Sequence, residues 1–101
     1  MFEEQIAAGM RLLDERKPGW EREIDLNILR MSSCHQCVLG QIYGNYFETA
    51  TSMELGEEYG FTLPFLPMLR DLPKRTAMWE TLTQEWKSAI EERISHVNSA
   101  G

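Results

Sequence analysis

Trp79, Leu82, Trp86, Ile90, Ile94 and Val97 follow one another at steps of three or four residues, which predicts a long amphipathic helix from about residue 73 to residue 97. A helix of that length with one apolar stripe cannot stand alone in water, so the other elements must be built to cover it. The chain has 101 residues, 43% of them apolar. That is enough for one core and too little for two, with roughly two thirds of the unfolded surface buried on folding. We therefore expect a small all-α domain of four or five helices over residues 1–97, with the last helix as its scaffold and residues 98–101 as a fraying tail.

The remaining elements are read from periodicity and punctuation. Ile6, Met10 and Leu13 recur at helical spacing with Gly9 on the same face, and Lys17-Pro18-Gly19 ends that first helix. A short second helix starting at Pro18 would turn Trp20, Ile24 and Ile28 inward. The alternation in residues 24–29 also fits a strand, but no partner strand is evident. Ser32 and Ser33 offer an N-cap for a third helix over residues 34–47, in which Val38, Ile42 and Tyr46 share a face with Gly40 and Gly44 beside it. Two glycines on one helical face suggest that another backbone passes close. Thr51-Ser52-Met53-Glu54 has the form of a capping box, and Gly60 that of a left-handed stop, which together predict a short fourth helix. Residues 61–72 hold seven Phe, Leu or Met residues but also Pro64 and Pro67, so they read as an apolar loop.

Sixteen acids against ten bases leave a formal charge of −6. Residues 31–69 contribute four acids and no Lys or Arg. Such a balance disfavours direct binding to nucleic acid or to anionic membranes. No apolar run is long enough to cross a bilayer, and Phe2-Glu3-Glu4 is unlike the start of a signal peptide, so a cytoplasmic protein is expected. Two cysteines, close together, agree with a reducing compartment.

Cys34-His35-Gln36-Cys37 is the one cluster of reactive side chains. At a helix N-terminus a thiol pKa would be lowered, which raises a thiol-redox reading, and Cys34, His35 and Cys37 are candidate metal ligands. A structural zinc wants four ligands, however, and thioredoxin-type redox pairs lie between a strand and a helix, so ordinary packed cysteines are the favoured reading. Tyr43, Tyr46, Phe47, Tyr59 and Phe61 could form a stacking surface, but without cations nearby they read as core. Arg70, Lys74 and Arg75 read as a solvated helix start. The chain carries no Ser-His-Asp order, Gly-rich phosphate loop, HExxH or EF-hand spacing, so we expect a non-enzymatic protein without a cofactor.

Taken together, Leu12-Leu13-Asp14-Glu15, Pro18-Gly19-Trp20, Ile24-Asp25, Met31-Ser32-Ser33, Cys37-Val38-Leu39-Gly40-Gln41-Ile42-Tyr43-Gly44, Tyr59-Gly60-Phe61, Leu82-Thr83 and Trp86 resemble a family of small uncharacterised proteins of actinobacteria and their bacteriophages. The run from Cys37 to Gly44 is the most specific part. The resemblance implies a compact domain of phage or prophage origin. It implies no mechanism, and family members often differ at the position of Cys34, which counts against a metal site.

These readings converge on an accessory protein that acts by binding a host or phage protein. A metal-binding or thiol-redox protein using Cys34 and Cys37 is the alternative from another class. A third reading is an acidic DNA mimic built on Glu48, Glu54, Glu57 and Glu58. The surfaces expected to meet a partner, or a second copy in a homo-oligomer, are the apolar loop (Phe61, Leu63, Phe65, Leu66, Met68, Leu69) and the face bearing Gly40 and Gly44.

Overall fold

Glu3 and Glu4 stand in the first turn of α1 (Glu3–Arg16), where negative charge complements the helix dipole, and the helix buries Ile6, Gly9 and Leu13. The computed structural model describes the backbone of residues 2–55, 57–63 and 72–100, and the side chains of these except 57, 72–74 and 97–100. After α1 the chain reverses at Gly19, whose φ of +83° is left-handed, into a 3₁₀ turn (Trp20–Glu23). Helix α2 (Val38–Tyr43), helix α3 (Tyr46–Ser52), a second 3₁₀ turn (Glu57–Tyr59) and the long helix α4 (Leu72–Ala100) follow. Among the described residues there is no strand, and the all-α fold is as the periodicity predicts.

Helix α4 presents Leu82, Trp86 and Ile90 to the core with no solvent exposure, while Trp79 and Ile94 are half-buried. The Trp86 ring stacks on Phe61 at 5.4 Å and meets Trp20 edge-on at 6.2 Å. Its indole Nε1–H donates to the Gly60 carbonyl at 2.7 Å, so the ring's one polar group is satisfied inside the core. Around these rings pack Phe2, Ile6, Leu13, Ile24, Leu29, Met31, Val38, Leu39 and Leu63.

Asp14 joins three elements. Its Oδ1 accepts from Trp20 Nε1 at 3.0 Å, and its two oxygens receive the Arg93 guanidinium at 2.8 and 3.1 Å. The Arg93 hydrogen bonds, with a smaller contribution from Trp20, hold the Asp14 carboxyl below its usual value of 3.8. A carboxyl depressed on folding stabilises the fold above its unfolded pKa, and that contribution is lost as pH falls through the folded value. Because the pair is partly exposed, Asp14→Asn should cost only about 1 kcal/mol at neutral pH, after allowance for solvent screening. The gap between wild type and variant should close below about pH 4, as followed by denaturant midpoints. A gap that persists unchanged at acid pH would show that the charge is immaterial.

The middle of the chain departs from the expected elements. Trp20 and Ile24 turn inward as expected, but Ile28 is 48% exposed, since the second helix is one 3₁₀ turn and the chain is extended at Ile24. The backbone of Asp25 pairs with no strand. Its N–H donates to Gln41 Oε1 at 2.6 Å and its carbonyl accepts from Gln41 Nε2 at 3.2 Å. The third helix is divided. Ser33 caps only the turn through residues 34–36, receiving the N–H groups of His35 and Gln36, and Cys37 then caps α2. Gly44, at φ +100°, ends α2, and Asn45 caps α3 by accepting from Glu48 N–H at 3.1 Å. Thr51 starts no helix. It lies in the last turn of α3, which closes with Leu55 N–H on Ala50 carbonyl (2.9 Å) and Glu54 N–H on Thr51 carbonyl (3.2 Å), Glu54 taking the left-handed position at φ +55°. Gly60 is left-handed as expected, but it follows a 3₁₀ turn. The backbone of α4 continues past Val97 to Ala100, where a fraying tail is expected from the sequence.

Candidate functional site

The thiol cluster is tied into the fold. Cys37 is 1% exposed, and its Sγ accepts the Gly40 N–H at 3.2 Å as the cap of α2. Burial pushes its thiol pKa up, against hydrogen bonds from the helix start, which reverses the direction expected from the dipole alone. His35 is exposed, with Nδ1 at 2.8 Å from the Gly44 carbonyl, an arrangement that needs the proton on Nδ1. Cys34 is half-buried and unbonded to Cys37. Among the described residues no three His, Cys, Asp or Glu side chains gather as a metal would require. Iodoacetamide should therefore take up about one equivalent on native protein, at Cys34, and a second at Cys37 only in denaturant. Equal native reactivity, read by mass spectrometry, would mean that the 34–37 turn opens.

The residues expected to meet a partner are placed differently from one another. Phe61 and Leu63, at 2% and 1% exposure, belong to the chain's own core. Phe65, Leu66, Met68 and Leu69 lie outside the described residues. Gly40 does mark a close backbone approach, but from within the chain: a Cβ there would meet the Cys34 carbonyl at 2.5 Å and the His35 backbone at 2.7 Å. Gly44 faces open space, and its glycine serves the turn. The aromatic group is likewise divided. Phe61 is core and Tyr59 half-buried, whereas Phe47 is 67% exposed and Tyr43, 38% exposed, has Lys17 5.7 Å over its ring. That cation comes from the end of α1, outside the cation-free middle third. Glu48, Glu54 and Glu58 are exposed, and the side chain of Glu57 lies outside the described residues.

An open groove of about 770 Å³ runs between α1 and α4. Apolar side chains line it from both helices, Ile6, Ala7 and Met10 of α1 and Ala77 and Ala89 of α4, with Thr81, Gln84 and Ser88 beside them. Its exposed acids are Glu3, Glu80 and Glu92, and Glu85, half-buried, accepts the Phe2 N–H on Oε1 at 2.8 Å. Among the described residues no Lys or Arg lines it. Between Ala77 and Glu92 the groove follows α4 for roughly 22 Å, about four turns of a helix laid alongside. In the sequence Ile6 and Met10 read only as core positions of the first helix, and Ala7, Ala77 and Ala89 lie beside the apolar stripes rather than in them. The available signal was size: Ala7, Ala77 and Ala89 sit where a larger side chain would fill the cleft.

No family model matches this chain, nor does any curated protein or solved structure.

Proposed function

We propose that this chain is a non-enzymatic accessory protein that works by binding another protein, of a phage or its host, and that it receives a helix of that partner in the α1–α4 groove. The observation that carries this reading is a groove in which apolar side chains of both helices lie beside glutamates, with no cation among its described lining residues. Amphipathic helices dock by laying an apolar stripe into such a cleft. The exposed acids select the occupant's charge, since Lys or Arg beside its stripe would face Glu80 and Glu92 whereas acidic flanks would be repelled. The family resemblance and the lack of a catalytic motif in the sequence agree with an accessory role.

The test uses a designed helical peptide of about fourteen residues, leucines on one face and lysines beside them, titrated calorimetrically against the full chain. Ala7 and Ala77 are exposed, so Ala7→Arg and Ala77→Arg fill and recharge the groove while leaving the core intact. We expect at least about tenfold weaker binding in either variant and in a peptide with glutamate in place of lysine. Equal affinity for both peptides, or for wild type and variants, would refute the groove. In lysate capture, a true partner should be retained by wild type and lost with Ala7→Arg.

A further inference from the structure

We infer that the other flank of α4 carries a second binding site, for an extended acidic peptide segment bearing apolar side chains. This groove, of about 970 Å³, is bounded by Arg75, Trp79, Thr83 and Lys87 on α4 and by Ile28 and Arg30 on the opposite wall. Among the described residues three cations thus face it against one carboxylate, Glu80, in a protein whose net charge is −6. None of their head groups makes an ion pair or hydrogen bond with a described residue, although Lys17 and Arg93 find acids elsewhere. The chain has acids enough to neutralise such a cluster, yet none of the described ones pairs with it.

Two further features define the ligand. Arg75 and Lys87 are twelve residues apart on one helix, roughly 18 Å, too far for one phosphate to reach both but matched by five or six residues of extended peptide. The walls also offer apolar contact: Ile28 is 48% exposed and Trp79 is half-buried. Trp79 Nε1–H makes no hydrogen bond to a described residue, whereas the indoles of Trp20 and Trp86 are bonded to Asp14 and Gly60. Thr83 Oγ1 accepts the Met31 N–H at 3.0 Å and keeps its own hydroxyl proton as a further donor. Guanidinium forks, an ammonium, an indole N–H and a hydroxyl together form a donor-rich wall suited to carboxylates. A polynucleotide would share the anionic chemistry, but with a charge on every residue it would meet more of the chain's net repulsion than a peptide in which apolar residues alternate with acids.

The site shares Glu80 and Gln84 with the edge of the α1–α4 groove but lies on the opposite flank of α4, and the two are separated by variants that touch only one of them. The probe is a peptide of about eight residues alternating glutamate and leucine, titrated to millimolar concentration against ¹⁵N-labelled protein. The Trp79 indole resonance should shift while those of Trp20 and Trp86 stay in place. Arg75→Glu with Lys87→Glu should weaken binding at least about tenfold with the helical circular dichroism unchanged, and Ala7→Arg should leave it unaltered. An unmoved Trp79 resonance, retained affinity in the charge-reversed variant, or tighter binding of an oligothymidylate of similar length would overturn the proposal.

Discussion

Trp86→Ala should cost about 3–5 kcal/mol, measured by urea or thermal unfolding, and should be the most damaging truncation in the chain. The side chain is wholly buried, stacks on Phe61, meets Trp20 edge-on and donates to the Gly60 carbonyl, so its loss opens a cavity at the meeting point of α1, α4 and the segment after the second 3₁₀ turn. Domains of this size have about 5–15 kcal/mol in all, so the variant would retain only a fraction of its stability. Trp86→Phe separates packing from hydrogen bonding. The ring is largely kept, but the buried Gly60 carbonyl loses its donor, a cost of about 1–3 kcal/mol. If Trp86→Phe proves as damaging as Trp86→Ala, the hydrogen bond matters more than the stack. If Trp86→Ala costs less than about 1 kcal/mol, this ring is not the centre of the fold.

The two long helices were legible in the sequence because each carries its signal along its whole length. The apolar stripe of α4 repeats over many turns, and α1 is closed by Pro18 and Gly19. The middle was misread where local punctuation competed with periodicity. Val38, Ile42 and Tyr46 keep a four-residue spacing across the break between α2 and α3, so one continuous helix fits them, yet Gly44 followed by Asn45 is a stop and a start. At the end of α3 no signal existed to be read, since Glu54 occupies the left-handed position that glycine usually takes. The grooves were hidden for a different reason. Each is made by residues from two elements distant in sequence, and only the packing of α1 or of residues 28–30 beside α4 brings them together.

Gly9→Ala is the case in which sequence and structure predict opposite signs. By helix propensity alone, alanine in the middle of α1 should stabilise the chain by about 1 kcal/mol. Packing reverses this. A Cβ at position 9 would collide with the Tyr59 carbonyl oxygen and press on Phe61 Cζ at 3.1 Å and Trp86 Cη2 at 3.2 Å. The carbonyl belongs to backbone that cannot swing aside like a side chain. Gly60, which follows it, is itself held at φ +72° with its own Cβ position 3.0 Å from the backbone of Gln5 and Ile6. Two glycines therefore let α1 and the 59–60 segment approach backbone to backbone, and through Gly60 the same approach places the acceptor for Trp86. Overpacking of this kind costs typically 1–3 kcal/mol, with collision onto backbone at the upper end, so with the propensity gain of about 1 kcal/mol subtracted we expect Gly9→Ala to destabilise by up to about 2 kcal/mol and Gly9→Val by more. Ala7→Gly, on the exposed side of the same helix, supplies the reference, since it should cost about 1 kcal/mol through propensity with no packing change. A stabilised Gly9→Ala protein would show that α1 stands farther from the 59–60 segment than this structure places it, and would remove the reason for glycine at both positions.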